Sequence, residues 1–193
     1  MTALPYSIAR MRMQPGDAIL TADPAWGARF IRLYTGDDWS HIAGIVKGPP
    51  INGRNRVYVA EAHLDGGIQR HLLSRWWEVQ GGRACWIPGG LDSRQQHFFS
   101  ASAKRLNGAK YEGVRDFILQ SIGLDLERGD DTDKICSAFY AACWEAATGD
   151  VIPGRPWFRW ALPIRRGRCV PTPGAVARYL EGLGCRPVEL VRG

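Results

Sequence analysis

Cys136 stands in TDKICSAFYAACWEAA, where Ile135, Phe139, Ala142 and Ala146 recur at helical spacing and Thr132 or Asp133 can cap the start. That places the thiol in the first turn of a helix ending at Thr148-Gly149. Unpaired amide hydrogens and the helix dipole favour an anion there by about 0.3–1 kcal/mol, so a thiolate gains and the pKa falls. Cys143, in mid-helix, fits the other common role of a free cysteine, a small buried hydrophobe. Seven residues at about 1.5 Å each separate the two by about 10 Å, too far to bridge, so both are expected to be thiols.

A nucleophilic thiol needs a base, and His41 opens a strand-like run in which it shares a face with Ala43 and Ile45. Glu61, in VYVAEAH, shares a face with Val57 and Val59. A carboxylate on an apolar face is costly unless paired, and His41 is its obvious partner. If the two strands pair, Glu61 orients one imidazole nitrogen while the other meets Cys136, which is the logic of a catalytic triad. A competing arrangement is a metal site of His41, Glu61 and His63, since Glu61 and His63 lie two apart on one strand face. It leaves a cysteine at a helix start unexplained, and no metal or other cofactor is expected. Cys169, in the cationic RGRC, is the second-choice nucleophile. His71 and His97 read as surface or helix-capping residues.

The elements that must position these groups follow from periodicity and punctuation. A strand over Asp17 to Thr21 follows the turn Pro15-Gly16. A helix capped by Asp23-Pro24 carries Trp26, Phe30 and Leu33 and stops at Thr35-Gly36. SHIAGIVKG and VYVAEAH then form an antiparallel pair joined by a nine-residue connection, and GGIQRHLL and ACWIP read as further strands. Thereafter the period changes. Ser93 and Gln96 suggest a capping box before Phe98, Phe99, Ala103 and Leu106; Tyr111, Val114, Ile118 and Ile122 mark a helix; a last helix runs from Thr172-Pro173 to Gly184, with VELV as a final strand. The fold class is α+β, an antiparallel sheet packed against helices.

The chain has 193 residues, 45% hydrophobic, with eight Trp and no repeat or low-complexity stretch. That suits one compact domain over 1–193 and excludes disorder as the main state. Five cysteines are an odd number, and none form a CxxC pair, which argues against a disulfide framework or a structural zinc site. There is neither a signal-peptide pattern nor an apolar run of about 18 residues, so the expectation is a cytoplasmic protein. The net charge is +6. RPWFRWALPIRRGR, with Arg155, Arg159, Arg165, Arg166 and Arg168, nearly accounts for it. We read about 153–168 as a basic Trp/Pro-rich insertion flanking the cleft, in which Arg155 and Trp157 hold an anionic part of the substrate or an anionic surface. Specific nucleic-acid binding is not expected, because the excess is confined to one proline-broken segment.

PGDAIL, TGDDWSHIAGIV, VAEAHLDGGIQRHLL, GAKYEG, ICSAFYAACWEA and CVPTPGAVARYL, taken in this order, resemble the circularly permuted papain-like cysteine hydrolases of the NlpC superfamily, the YiiX/YebB-like branch in particular. The likeness covers about Gln14 to Leu183. It implies a permuted papain-like (NlpC-type) fold and a thiol hydrolase of amide or ester bonds, with Cys136 as nucleophile, His41 as base and Glu61 as orienter. It also implies a structural role for Asp17 and a site-lining one for Tyr111. Ser137 and Trp39, beside the nucleophile and the base, join the substrate-binding set. The match departs at Ala138 and Phe139, where relatives often carry an acid, and at Trp39. The resemblance admits peptide, cell-wall peptide or acyl-lipid substrates, and acyl transfer as well as hydrolysis. A catalytically inactive module binding an anionic ligand is the alternative class; the oligomeric state is not legible.

Overall fold

The computed structural model describes residues 2–54, 56–63, 66–109, 136–154 and 171–192. Along these the order is β1 (Thr2–Pro5), α1 (Tyr6–Ala9), β2 (Ala18–Ala22), α2 (Trp26–Thr35), β3 (His41–Lys47), β4 (Val57–His63) and β5 (Gly67–Leu72). There follow α3 (Leu73–Val79), β6 (Arg83–Ile87), α4 (Ser93–Arg105), α5 (Cys136–Thr148), α6 (Pro173–Gly182) and β7 (Val188–Val191). The strands form one seven-stranded sheet in the order β1-β7-β6-β2-β3-β4-β5. β1 and β7 run parallel and the other neighbours are antiparallel. This is the mixed α+β architecture that the change of period implies.

Alternation along the strands divides the interior in two. Ala18, Leu20, Ile42, Val46, Ala60, Ala62, Cys85 and Ile87 face α4, α5 and α6, against Phe99, Phe139, Tyr140, Cys143, Trp144 and Val176. Ile19, Ala43, Ile45, Val59, Ala84 and Trp86 face the other way, against Ala9, Leu73 and Trp76 of α1 and α3. Gly44, in the middle of β3, allows α4 and α5 to come this close: a Cβ there would stand 2.9 Å from Phe99 Cζ and 3.4 Å from Tyr140. The sheet and α5 are therefore in direct contact at the middle of β3.

Several local expectations shift. Asp23 does not cap α2; its Oδ1 accepts from the Ala25 amide at 2.7 Å, an Asx turn, and the helix starts at Trp26. The capping box lies one residue earlier than Ser93 and Gln96, between Asp92 and Gln95. Leu73 belongs to α3 instead of extending β5. On α4, Phe99 is buried while Phe98 is exposed. On α5, Ala146 is exposed and Ala142 half-buried, because the bulky Tyr140 and Trp144 take the core-facing side. β1, α1 and α3 carry no periodic signal and are found only here. The helix over Tyr111 to Ile122, the Thr132 or Asp133 cap and the 155–168 segment lie outside the described residues.

Candidate active site

β3 and β4 pair with Gly44 opposite Ala60, so His41 and Glu61 are diagonal neighbours on one sheet face. Their side chains meet: His41 Nε2 lies 2.7 Å from Glu61 Oε2. Glu61 is buried, and its second oxygen accepts from the Trp76 indole N–H at 2.9 Å. His71, on β5, brings its Nε2 to 3.8 Å from that oxygen. The carboxylate that looked costly on an apolar strand face is thus satisfied at both oxygens.

Cys136 comes from the opposite side of the sheet, as the first described residue of α5. His41 is the first residue of β3, so its ring stands at the strand end, where groups from either face can reach it. With Nε2 taken by Glu61, the ring also lies close enough to Cys136 to act on it as charge and as hydrogen-bond partner, and the backbone amides of Ile42 and Ser137 stand beside the sulfur. The ring retains 22% of its side-chain exposure and the thiol residue 7%. The group is sheltered yet open at one edge.

Charge follows geometry. Burial resists ionisation of Cys136, but the His41 ring, as charge and as donor, together with the two backbone N–H groups, outweighs it and lowers the thiol below its usual range. Burial likewise resists protonation of His41, but the Cys136 thiolate and the Glu61 carboxylate raise it to about 10. Glu61, opposed by burial, is held low by His41 and then by Trp76 and His71. The three shifts agree in sense, each favouring the charged form of its group. The other described cysteines go the opposite way: burial pushes Cys85 and Cys143 up to about 12 and raises Cys185. All four are free thiols.

The remaining expectations fall in different places. Trp39 is half-buried two residues before His41, with the Arg83 guanidinium 4.8 Å from its ring centroid. Ser137 is fully buried and its hydroxyl makes no hydrogen bond. Asp17 lies at the far end of β2, taking the Gln14 and Gly89 amides and the Trp86 indole, a framework role. Tyr111, Arg155, Trp157 and Cys169 are outside the described residues. His97 is exposed on α4, as a surface histidine should be. His71, expected at the surface or as a helix cap, is 39% exposed and also lies on the Glu61 face. Register explains this: Glu61 is opposite Gln69, and His71 lies two along. Trp76 is new, because α3 had no sequence signal.

No protein-family model and no curated protein matches the chain. A solved structure does: the crystal structure of metalloprotein YiiX from Escherichia coli O157:H7, with TM-score 0.61 and 22% identity, covering 93% of this chain and 97% of that one. At that identity the likeness establishes a YiiX-like fold. Metal binding, stated of that protein, was tested against the side chains here. Among the described residues no group of three or more His, Cys, Asp or Glu side chains could hold a metal ion. Both Glu61 oxygens already face N–H groups, and His63 is exposed. The described residues do not fit a metal at His41, Glu61 and His63.

Proposed function

We propose that this chain is a cysteine-dependent hydrolase of amide or ester bonds, of the permuted papain-like NlpC type, working through Cys136, His41 and Glu61. The observation that carries the reading is the continuous run of contacts from the Glu61 carboxylate through the His41 ring to the only described thiol whose pKa is lowered. Such a row supplies both nucleophile and acid without an external base.

In this mechanism the Cys136 sulfur adds to the substrate carbonyl carbon, and the carbonyl π pair moves to oxygen. Helix-start amides have no intrahelical acceptor, so the Cys136 N–H is suited to receive that oxyanion. As the tetrahedral adduct collapses, the bond to nitrogen or oxygen breaks and the leaving group takes the imidazolium proton. A thioester and a neutral His41 remain. His41 then removes a proton from water, the hydroxide adds to the thioester, and the C–S bond breaks to give the acid and regenerate the thiolate. Glu61 holds the ring and stabilises its charge throughout, and Trp76 fixes Glu61.

The test is competitive alkylation with iodoacetamide at pH 7, read by peptide mass spectrometry. Cys136 is expected to react at least ~100-fold faster than Cys85 and Cys143, because reactivity follows the thiolate fraction more steeply than it loses nucleophilicity. Equal rates would remove the nucleophile from the proposal.

A further inference from the structure

α2 turns its apolar stripe to solvent. Trp26 is 82% exposed and Leu33 85%, with Phe30 between them at 38%, its ring stacked 5.9 Å from that of Trp26. These positions are i, i+4 and i+7, so they form one stripe along the helix. At these exposures the three side chains present roughly 400 Å² of apolar surface, taking about 150–250 Å² for a whole aromatic side chain. The same helix carries the exposed Arg29, together with Arg32, whose Nη1 donates to the Asp23 carbonyl at 2.7 Å, and no acidic residue.

Topology sets this stripe in the connection that leads into His41. β2 ends at Ala22 and β3 begins at His41, so α2 spans the connection at the end of the sheet where the imidazole stands. Its exit is fixed. Gly36 closes the helix in the left-handed region (φ 66°), and the buried Asp37 accepts from Thr172, the N-cap of α6, and from Arg178 Nη1 at 2.8 Å. The helix presents its apolar side outward on the connection that leads into the strand carrying His41.

We infer that α2 is a docking surface for an anionic lipid bilayer, which brings the proposed thiol enzyme to substrates at a membrane interface. Trp and Leu pointing out from a short helix with arginines and no acids is the pattern of an interfacial helix, in which the apolar groups enter the acyl boundary and the cations meet phosphates. A protein partner is the poorer fit, because a stable interface takes about 800 Å² from each side, twice what the stripe offers. The inference deepens the proposed function and rests on it for the substrate's location, but the docking itself does not need the thiol.

Vesicle sedimentation tests it, using phosphatidylglycerol/phosphatidylcholine vesicles against phosphatidylcholine alone, with the full chain. Wild type and Cys136→Ser should both be retained on the anionic vesicles, and Trp26→Ser/Leu33→Ser should bind at least ~10-fold more weakly. Both substituted side chains are solvent-exposed, and circular dichroism confirms that the variant is folded. Three outcomes would overturn the proposal: no retention of wild type, equal retention of the double variant, or a double variant that only converts a dimer to a monomer in analytical ultracentrifugation. A fourth would as well, namely loss confined to a variant with Gln at Arg155, Arg159, Arg165, Arg166 and Arg168. Retention together with a Cys136 that fails to alkylate selectively would leave the docking standing and remove the hydrolase.

Discussion

Cys136 and Cys143 lie on one helix, seven residues apart, and are almost equally buried, at 7% and 0% exposure. One thiol is pulled below its usual pKa and the other is pushed up to about 12. Burial therefore does not separate them. What differs is what the helix start brings near: an imidazole anchored by a carboxylate and two backbone N–H donors, against a mid-helix position with only Ser102 and Arg105 to offset desolvation. The shift at Cys136 is a matter of partners, and the fold supplies them by bringing the Cys136 end of α5 against the start of β3.

The most damaging change to this contrast is removal of the base. His41→Ala should slow alkylation of Cys136 about 10- to 100-fold at neutral pH, since the imidazolium is what holds the thiolate, and should leave the rate at Cys143 unchanged. A drop at both sites would mean that the substitution had loosened the helix and had not uncoupled a pair.

Glu61→Gln sharpens the comparison through pH. The Glu61 carboxylate helps raise His41 to about 10, so a neutral amide lets the ring lose its proton at lower pH, and the alkylation midpoint of Cys136 moves up. The stability sign follows. The raised His41 binds its proton more tightly in the folded state, which contributes stability fully present below about 6.5 and lost as pH rises toward about 10. In the variant that alkaline loss should begin earlier. Histidine NMR and thermal melts across pH 6–10 measure both, and an unchanged His41 titration would show that Glu61 does not act on the ring.

The smallest effect is expected at Trp76→Phe, which keeps most of the ring packing but removes the N–H on Glu61 Oε1. Leaving a buried carboxylate oxygen short of a donor costs about 1–3 kcal/mol of stability. The alkylation rate should fall only about 2- to 5-fold, with the midpoint shifted in the same direction as in Glu61→Gln. A shift opposite in sign would show that Trp76 is only a packing residue.

Much of this arrangement is legible in the residues themselves. Alternation in SHIAGIVKG and VYVAEAH shows which side chains share a face within each strand, and the cost of an unpaired carboxylate on an apolar face points Glu61 to His41. The helical period around Cys136 is equally local. What is not legible depends on tertiary contact. α3 carries Trp76 in a seven-residue helix without a side-chain cap, too short for periodicity to mark. α2 shows the helical spacing of a buried stripe yet turns it to solvent, since sequence period says which residues share a face and not which side that face takes. His71 was read as a surface residue for the same reason. Its half-exposure is correct, and its proximity to Glu61 comes from strand register, which no single strand encodes.

The central claim is that Cys136 is a thiolate at neutral pH because His41 is protonated beside it. Thiolate absorbance near 240 nm, taken as the difference between wild type and Cys136→Ser across a pH titration, measures this directly. The account predicts one thiolate with a midpoint well below the ordinary thiol value of 9.0, lost when the same difference is taken in a His41→Ala background. A midpoint at or above 9.0, or one that His41→Ala leaves in place, would contradict it.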